Sequence, residues 1–314
     1  MNVQCPMPQL DFEVITLGHG SGGILTNKLL ESGVFNLLKN PLLDTHHDGA
    51  VFELSGKLAF STDSYVISPF FFPGGNIGSL AVHGTLNDLA MCGAIPKYLS
   101  LSFILEEGLT MKAFWEILVS IKIAAEQAGI SIVTGDTKVV EKGKGDGVFI
   151  NTSGIGQLHP QADISIRRVK SGDKIIVSNT IATHGVAILS VREGLEFETD
   201  IVSDTAPLHQ VVETVLSRFG PAIHLLRDPT RGGVATVLNE IARDSALGIS
   251  ISQTQIPVLD EVSGACELLG LDPLYVANEG VFMAIVAGEF ADELVELLRT
   301  FEICSHACVI GEVV

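Results

Sequence analysis

The chain has 314 residues, enough for about two domains, and is 46% hydrophobic with only 18% charged residues, which excludes a disordered segment. Lys and Arg number 19 against 37 Asp and Glu; the formal net charge of −18 argues against non-specific nucleic-acid binding, which needs a basic face. Phosphate ligands stay open, because metal ions and backbone N–H groups can carry the compensating charge.

The start, Met1-Asn2-Val3-Gln4-Cys5-Pro6, lacks the basic head and apolar core of a signal peptide, so a soluble, cytoplasmic chain is expected. An alternating apolar run, Phe12 to Leu17, leads into Gly18-His19-Gly20-Ser21-Gly22-Gly23. Such a run exposes backbone N–H groups and allows positive φ, the chemistry of a phosphate cradle, and equally the composition of a plain flexible loop. It is not a P-loop, since no Gly-Lys-Ser/Thr follows. Asp44-Thr45-His46-His47-Asp48-Gly49-Ala50 ends in the Asp-Gly of a turn, with a strand predicted over Val51 to Leu54. His46 and His47 are each candidate ligands, although adjacent His residues before a turn more often face solvent. Asp48 enters a strand expected to pair with the next one.

That next strand, Leu58-Ala59-Phe60, runs into Ser61-Thr62-Asp63-Ser64, a carboxylate between hydroxyls. A Pro/Gly turn over Phe70 to Gly78 follows, then a small-residue helix from Ile77 to Met91 that carries Asn87 and Asp88 near its end. Carboxylates in apolar surroundings are costly unless paired or metal-bound, and oxygen ligands suit Mg²⁺ or Ca²⁺. A turn residue and a solvated helix end explain the same residues. The Pro and Gly between Ser64 and Asn87 break the uncharged stretch, so no membrane span is read there.

Leu99 to Leu105 alternates as a half-buried strand, and Thr110 caps an amphipathic helix reaching Ala128. Ile130 to Val140 repeats the earlier design: an apolar strand, then Thr134-Gly135-Asp136-Thr137-Lys138. Two hydroxyl–Asp–hydroxyl strand ends point to one shared metal–phosphate site. Lys142 to Gly147 reads as a hairpin tip before a strand over Val148 to Ser153. The pattern changes between Gln161 and Ser171, which places a domain boundary near residue 165 and divides the chain into 1–165 and 166–314. Beyond it strands are predicted at 174–178, 249–251, 281–286 and 307–310, and helices at 185–192, 207–219, 234–244, 260–269 and 291–300. Arg231-Gly232-Gly233 at a helix start suits an anion or is a bland turn, and Asn278-Glu279-Gly280 is a turn by composition. Cys5, Cys92, Cys266, Cys304 and Cys308 are scattered; Cys304 to Cys308 resembles half a metal site without a second pair, so reduced cysteines are expected.

In order along the chain, Gly18-His19-Gly20-Ser21-Gly22-Gly23, Ser61-Thr62-Asp63-Ser64, Phe71-Phe72-Pro73-Gly74-Gly75-Asn76-Ile77-Gly78, Gly84-Thr85-Leu86-Asn87-Asp88-Leu89-Ala90, Val133 to Val140, Asp228-Pro229-Thr230-Arg231-Gly232-Gly233 and Ala277-Asn278-Glu279-Gly280 resemble the HypE family of hydrogenase maturation factors. That family lies within the ATP-binding superfamily of aminoimidazole ribonucleotide synthetase. The resemblance implies an α+β fold: an N-terminal domain whose strands build a dimer-spanning barrel, and a C-terminal α+β sandwich domain. It implies ATP- and Mg²⁺-dependent dehydration of a thiocarboxamide to a thiocyanate, the source of cyanide on the iron of [NiFe] hydrogenase.

The implied site has Asp48, Asp63, Asp88 and Asp136 on the metal; Gly20, Ser21, Gly22, Gly23, Thr62, Asn87, Thr137 and Arg231 on the nucleotide; and Lys138, Glu279 and Asp88 as catalytic groups, Glu279 as base. The implied partners are a second copy of the chain, a HypF-type carbamoyltransferase and a HypC–HypD complex. The family tail Pro-Arg-Ile-Cys, whose thiol accepts the carbamoyl group, does not follow Gly311-Glu312-Val313-Val314, and from this the sequence as given is expected to bind Mg·ATP without accepting a carbamoyl group. Rival readings are a superfamily enzyme acting on a small amine or phosphate, and a scaffold that binds nucleotide without turnover.

Overall fold

The computed structural model describes residue 7 and residues 12–45, 47–194 and 201–314, so the readings of Cys5 and His46 fall outside the described residues. Among the described residues no helix is long and apolar enough to cross a membrane.

The glycine run forms a 3₁₀ turn, Leu17–Gly20, before α1 (Ile24–Leu29), which continues as a π-helical turn, Leu30–Phe35. Gly20 is needed because this turn lies on a strand: a Cβ there would sit 2.5 Å from the Val139 nitrogen. Phe12 to Leu17 contributes only an isolated bridge, Val14 to Thr110. No strand forms over Val51–Leu54; Val51 is 88% exposed and the predicted partner, β1 (Leu58–Tyr65), pairs only with a later strand. Asp48 therefore sits exposed in a bend, not in a strand beside Asp63.

After β1 come the short strands β2 (Phe71–Phe72) and β3 (Gly75–Asn76), then α2 (Ile77–Met91), β4 (Ala94–Glu106), α3 (Met111–Ala128), β5 (Ser131–Val140) and β6 (Val148–Leu158). The main sheet runs β1-β6-β4-β5, with β4 and β5 parallel and the other pairs antiparallel. Since β4 separates β5 from β6, the Lys142–Gly147 turn is a crossover and not a hairpin tip.

Asn76 caps α2, its side-chain oxygen accepting the N–H groups of Gly78 (2.8 Å) and Ser79 (3.3 Å). Thr110 caps α3 through Ala113 N–H at 3.2 Å. Both helices cover one face, where Leu99, Leu101, Phe103 and Leu105 of β4 join the core. Small residues on α2 permit the close fit: a Cβ on Gly78 would meet the Ile117 carbonyl at 2.6 Å. The other face carries polar and exposed apolar side chains, including Phe60 at 69% exposure and Ile104 at 44%.

The second sheet is antiparallel, in the order β8 (Ile223–Arg227), β10 (Met283–Val286), β7 (Lys174–Val177), β11 (Cys308–Val313) and β9 (Ile249–Ile251). Helices α4 (Thr183–Glu193), α6 (Gly233–Ser245) and α7 (Asp260–Leu269) pack on one face with Ile175, Val177, Met283 and Ile285. Helices α5 (His209–Phe219) and α8 (Ala291–Leu298) pack on the other with Ile176, Ala284 and Val286. Alternation along β7 and β10 thus feeds two cores, the pattern of a sheet buried on both faces. Ala90 and Met91 of α2 join the second of these cores, so the two halves share apolar surface.

Candidate active site

Between the two halves lies a cavity of about 620 Å³, lined by Asp63, Asp88, Arg231, Asp228, Glu279 and His184 among others. Its carboxylates come from three places: Asp63 from β1, Asp88 from the end of α2, and Asp228 and Glu279 from loops of the C-terminal half. Parity puts Asp63 here. Its β1 neighbours Ser61 and Tyr65 also point toward α2, Ser61 Oγ donating to Asp88 Oδ2 at 2.7 Å and Tyr65 Oη lying 3.3 Å from Thr85 Oγ1. Arg231, at the start of α6, reaches Asp63 Oδ1 at 3.4 Å while its side chain stays 87% exposed.

Neighbouring loops are held by amides. Asn278, wholly buried, accepts Ala182 N–H at 2.7 Å and donates to the carbonyls of Pro229 (2.9 Å) and Val276 (3.1 Å). Asp204 Oδ1 accepts the backbone N–H groups of Glu279 (3.0 Å) and Gly280 (3.2 Å), and its other oxygen is buried with no partner among the described residues.

Electrostatics follow from this crowding. Burial lifts Glu279 well above the usual carboxylate range, and the like charges of Asp204, Asp228, Asp63 and Asp88 lift it further. Burial likewise raises Asp228, and pushes Asp88 up to about 6 against the Ser61 hydrogen bond. Asp204 is pushed up to about 6 by burial, its backbone hydrogen bonds opposing the rise.

A second, smaller cavity of about 210 Å³ lies where the segment from Gly20 to Leu43 packs on the sheet edge; it is lined by Gly20, Gly22, Asp136, Thr137 and Lys138 and by apolar Leu30, Val34 and Phe103. Lys138 Nζ is 3.0 Å from Asp136 Oδ1, with both side chains more than half exposed.

Two family models match the chain: AIR synthase related protein, N-terminal domain, over residues 46–158, and AIR synthase related protein, C-terminal domain, over 170–314. Carbamoyl dehydratase HypE of Azotobacter vinelandii is 51% identical over 301 residues, covering 96% of this chain and 88% of the relative. The chain belongs to the HypE family. A crystal structure of the hydrogenase maturation protein HypE in complex with ATP superposes with a TM-score of 0.92 at 48% identity, covering 95% of this chain and 88% of that one. In a HypE–HypF complex, the matching chain gives 0.80 at 45% identity, with 93% of each chain covered.

Against this family, the expected residues divide. Asp63, Asp88, Glu279 and Arg231 meet at the central cavity; Gly20, Gly22, Asp136, Thr137 and Lys138 meet at the smaller one. The four expected metal carboxylates do not form one cluster in the chain. Asp136 pairs with Ser102 of β4, which pairs with Asn151 of β6 and so with Ser64 of β1, one residue out of phase with Asp63. Asp136 and Asp63 therefore point to opposite faces of the sheet, and Asp48 lines neither cavity. Among the described residues no three His, Cys, Asp or Glu side chains close on one metal position.

Thr62 also faces away from the central cavity, its hydroxyl accepting from Ser153 Oγ at 2.8 Å. Ser21 donates to the Gly18 carbonyl at 3.1 Å, and Gly23 precedes α1; neither lines a cavity. Asn87, expected on the nucleotide, is 1% exposed and engaged within the protein: it donates to the carbonyls of Ala206 and Glu279 (both 3.0 Å) and accepts Leu208 N–H at 2.8 Å. Asp228 lay inside a quoted motif without a role, whereas Asp204 and His184 belong to no motif; no sequence signal pointed to either.

Proposed function

We propose that the chain is an ATP-dependent carbamoyl dehydratase, converting a carboxamide borne on a cysteine sulfur into a thiocyanate that supplies the cyanide ligand of [NiFe] hydrogenase iron. The observation that carries this reading is Glu279, a carboxylate made strongly basic by burial and by the surrounding Asp204, Asp228, Asp63 and Asp88, at the cavity of a HypE-family chain. Dehydration must remove two protons from one nitrogen, and a carboxylate of raised pKa accepts them more readily than an ordinary one. In balance, the carboxamide oxygen attacks the γ-phosphorus of ATP and ADP leaves. The nitrogen then loses its two protons while phosphate departs with the oxygen, leaving a C≡N bond. Glu279 takes one proton from the nitrogen, and the departing phosphate carries off the other.

The donor set fits Mg²⁺: Asp63 and Asp88 offer only oxygen, and Mg²⁺ is usually held by one or two carboxylates plus substrate phosphates, so this pair suffices. Bound there, it would neutralise charge on the phosphates. Arg231 would contact the nucleotide. Gly20, Gly22, Thr137, Asp136 and Lys138 join the same reaction through a homodimer. The bare sheet face with exposed Phe60 and Ile104 is the surface for a second copy, which would bring one subunit's Lys138 to the other's central cavity. A HypF-type carbamoyltransferase is the donor and a HypC–HypD complex the acceptor, in the cytoplasm.

The test is phosphate release and product mass with ATP, Mg²⁺ and an S-carbamoyl cysteine peptide. Carboxamide-dependent phosphate release with loss of one water from the peptide is expected. Glu279→Gln should bind Mg·ATP normally and turn over at least about 100-fold more slowly. Phosphate release without dehydration, or full turnover by Glu279→Gln, refutes the reading.

A further inference from the structure

Among the polar side chains of the central cavity, one buried histidine is held neutral and in a defined orientation. His184, in the first turn of α4, is 5% exposed and lines the cavity with Asp63, Asp88 and Glu279. Its Nδ1 lies 2.8 Å from Ser203 Oγ. That oxygen already accepts the Thr205 N–H at 3.2 Å, and His184 Nδ1 is the acceptor within reach of the Ser203 hydroxyl proton. The pair is best satisfied when Ser203 donates to Nδ1, which leaves the ring proton on Nε2. Among the described residues the ring's hydrogen bond is made by Nδ1, which leaves Nε2 for a ligand at the cavity that His184 lines. Burial lowers the imidazole pKa to about 4, so the ring is neutral near pH 7. Phe72 fixes its plane by an edge contact, ring centroids 5.7 Å apart at 89°.

We propose that the His184 Nε2–H group is a neutral donor to the carbonyl oxygen of the substrate carboxamide, with Ser203 setting the tautomer that makes it a donor. The proposal rests on the dehydratase reading of this cavity. A carboxamide has an acceptor oxygen and a donor NH₂, and the cavity offers the complements: a fixed N–H on His184 and the Glu279 carboxylate for the NH₂. A carboxylate in the same position would have no donor for Glu279 and would be repelled by Asp63, Asp88 and Asp228. A cation at position 184 would be quenched by those carboxylates, whereas a neutral N–H stays available to a neutral acceptor. His184 and Ser203 therefore select amide over acid at the oxygen that ATP will phosphorylate.

Imidazole ¹⁵N shifts of the full-length protein test the tautomer without activity, the His184 signals being assigned by their loss in His184→Gln. A neutral Nε2–H ring at about pH 7 is expected, with the preference lost in Ser203→Ala. An Nδ1–H tautomer or an imidazolium in the parent protein at that pH overturns the proposal. In turnover, His184→Phe should lower kcat roughly 10- to 100-fold while the Mg·ATP dissociation constant stays within about twofold, and His184→Gln, which restores an N–H, should recover part of the loss. A kcat for His184→Phe within about twofold of the parent overturns it as well. Failure of the parent protein to dehydrate any carboxamide would instead remove the dehydratase reading, and with it the carboxamide as acceptor, while the tautomer result stood.

Discussion

Replacing Asp88 with Asn should stabilise the ligand-free protein while abolishing Mg·ATP binding. Burial moves this carboxyl from 3.8 to about 6. A shift of about two units corresponds to about 3 kcal/mol at neutral pH, and partial exposure of the carboxylate to the cavity reduces this to about 1–2 kcal/mol. Because the folded-state pKa is raised, the unfolded chain releases its proton first. Stability is therefore lost as pH rises from about 4 to about 6, and the full penalty applies above that range. Asn keeps an oxygen for the Ser61 hydroxyl now 2.7 Å from Asp88, so the local geometry survives. Chemical denaturation of both proteins at about pH 7.5 should show the variant more stable by that amount, with the gap closing near about pH 4. Calorimetric titration supplies the second arm. Equal stability at the higher pH, a gap unchanged by acid, or unchanged Mg·ATP affinity would refute the argument that Asp88 is an unpaired charge kept for a cation.

Asp63→Asn and Lys138→Ala should each be inactive alone, yet recover about a quarter of parental turnover after subunit exchange, because a mixed two-fold dimer contains one intact composite site. No recovery in verified mixed dimers would place both residues in one subunit's site, or neither in any. Asn87→Ala should lower stability by about 2–4 kcal/mol through loss of three buried hydrogen bonds, and leave Mg·ATP affinity of the folded fraction unchanged. A selective loss of nucleotide affinity at unchanged stability would restore Asn87 as a ligand.

Elements with a strong period were legible in the sequence: the alternation from Leu99 to Leu105, the capped helix from Thr110, and the small-residue helix from Ile77 all formed. β8 was missed because Ile223 to Leu226 are all buried, so the strand shows no alternation, and His224 interrupts its apolar run. The strand predicted at Val51–Leu54 failed because local composition cannot supply a partner, and β1 pairs with β6 alone. The same gap between local and non-local information explains the site. Hydroxyl–Asp–hydroxyl was legible twice, but which face each Asp occupies depends on the register across three intervening strand pairs. Asp204 and Ser203 act through backbone amides and a buried ring, and nothing in Ser203-Asp204-Thr205 distinguishes them from an ordinary turn.

The division of labour among polar groups explains why the site lies between the halves. Beside the Asp204 carboxylate, which holds the Glu279 and Gly280 N–H groups, two neutral amides do the holding: Asn87 ties α2 to the segment before α5 and to the Glu279 carbonyl, and Asn278 joins the loops at Ala182, Pro229 and Val276. Each satisfies buried backbone groups without adding charge, so the loops stay in place whether or not a ligand is bound. The carboxylates of Asp63, Asp88, Asp228 and Glu279 are thereby released from structural duty, and Arg231 offsets them only weakly from its exposed position at 3.4 Å. Had these carboxylates served to join the two halves, each would need a buried cationic partner, and none of the raised pKa values would follow. Under the proposed function their mutual repulsion would be relieved from outside, by a cation arriving with the nucleotide's phosphates or by a proton taken from the substrate nitrogen. On that reading the same excess negative charge that disfavours the ligand-free site would favour both Mg·ATP binding and the basicity of Glu279.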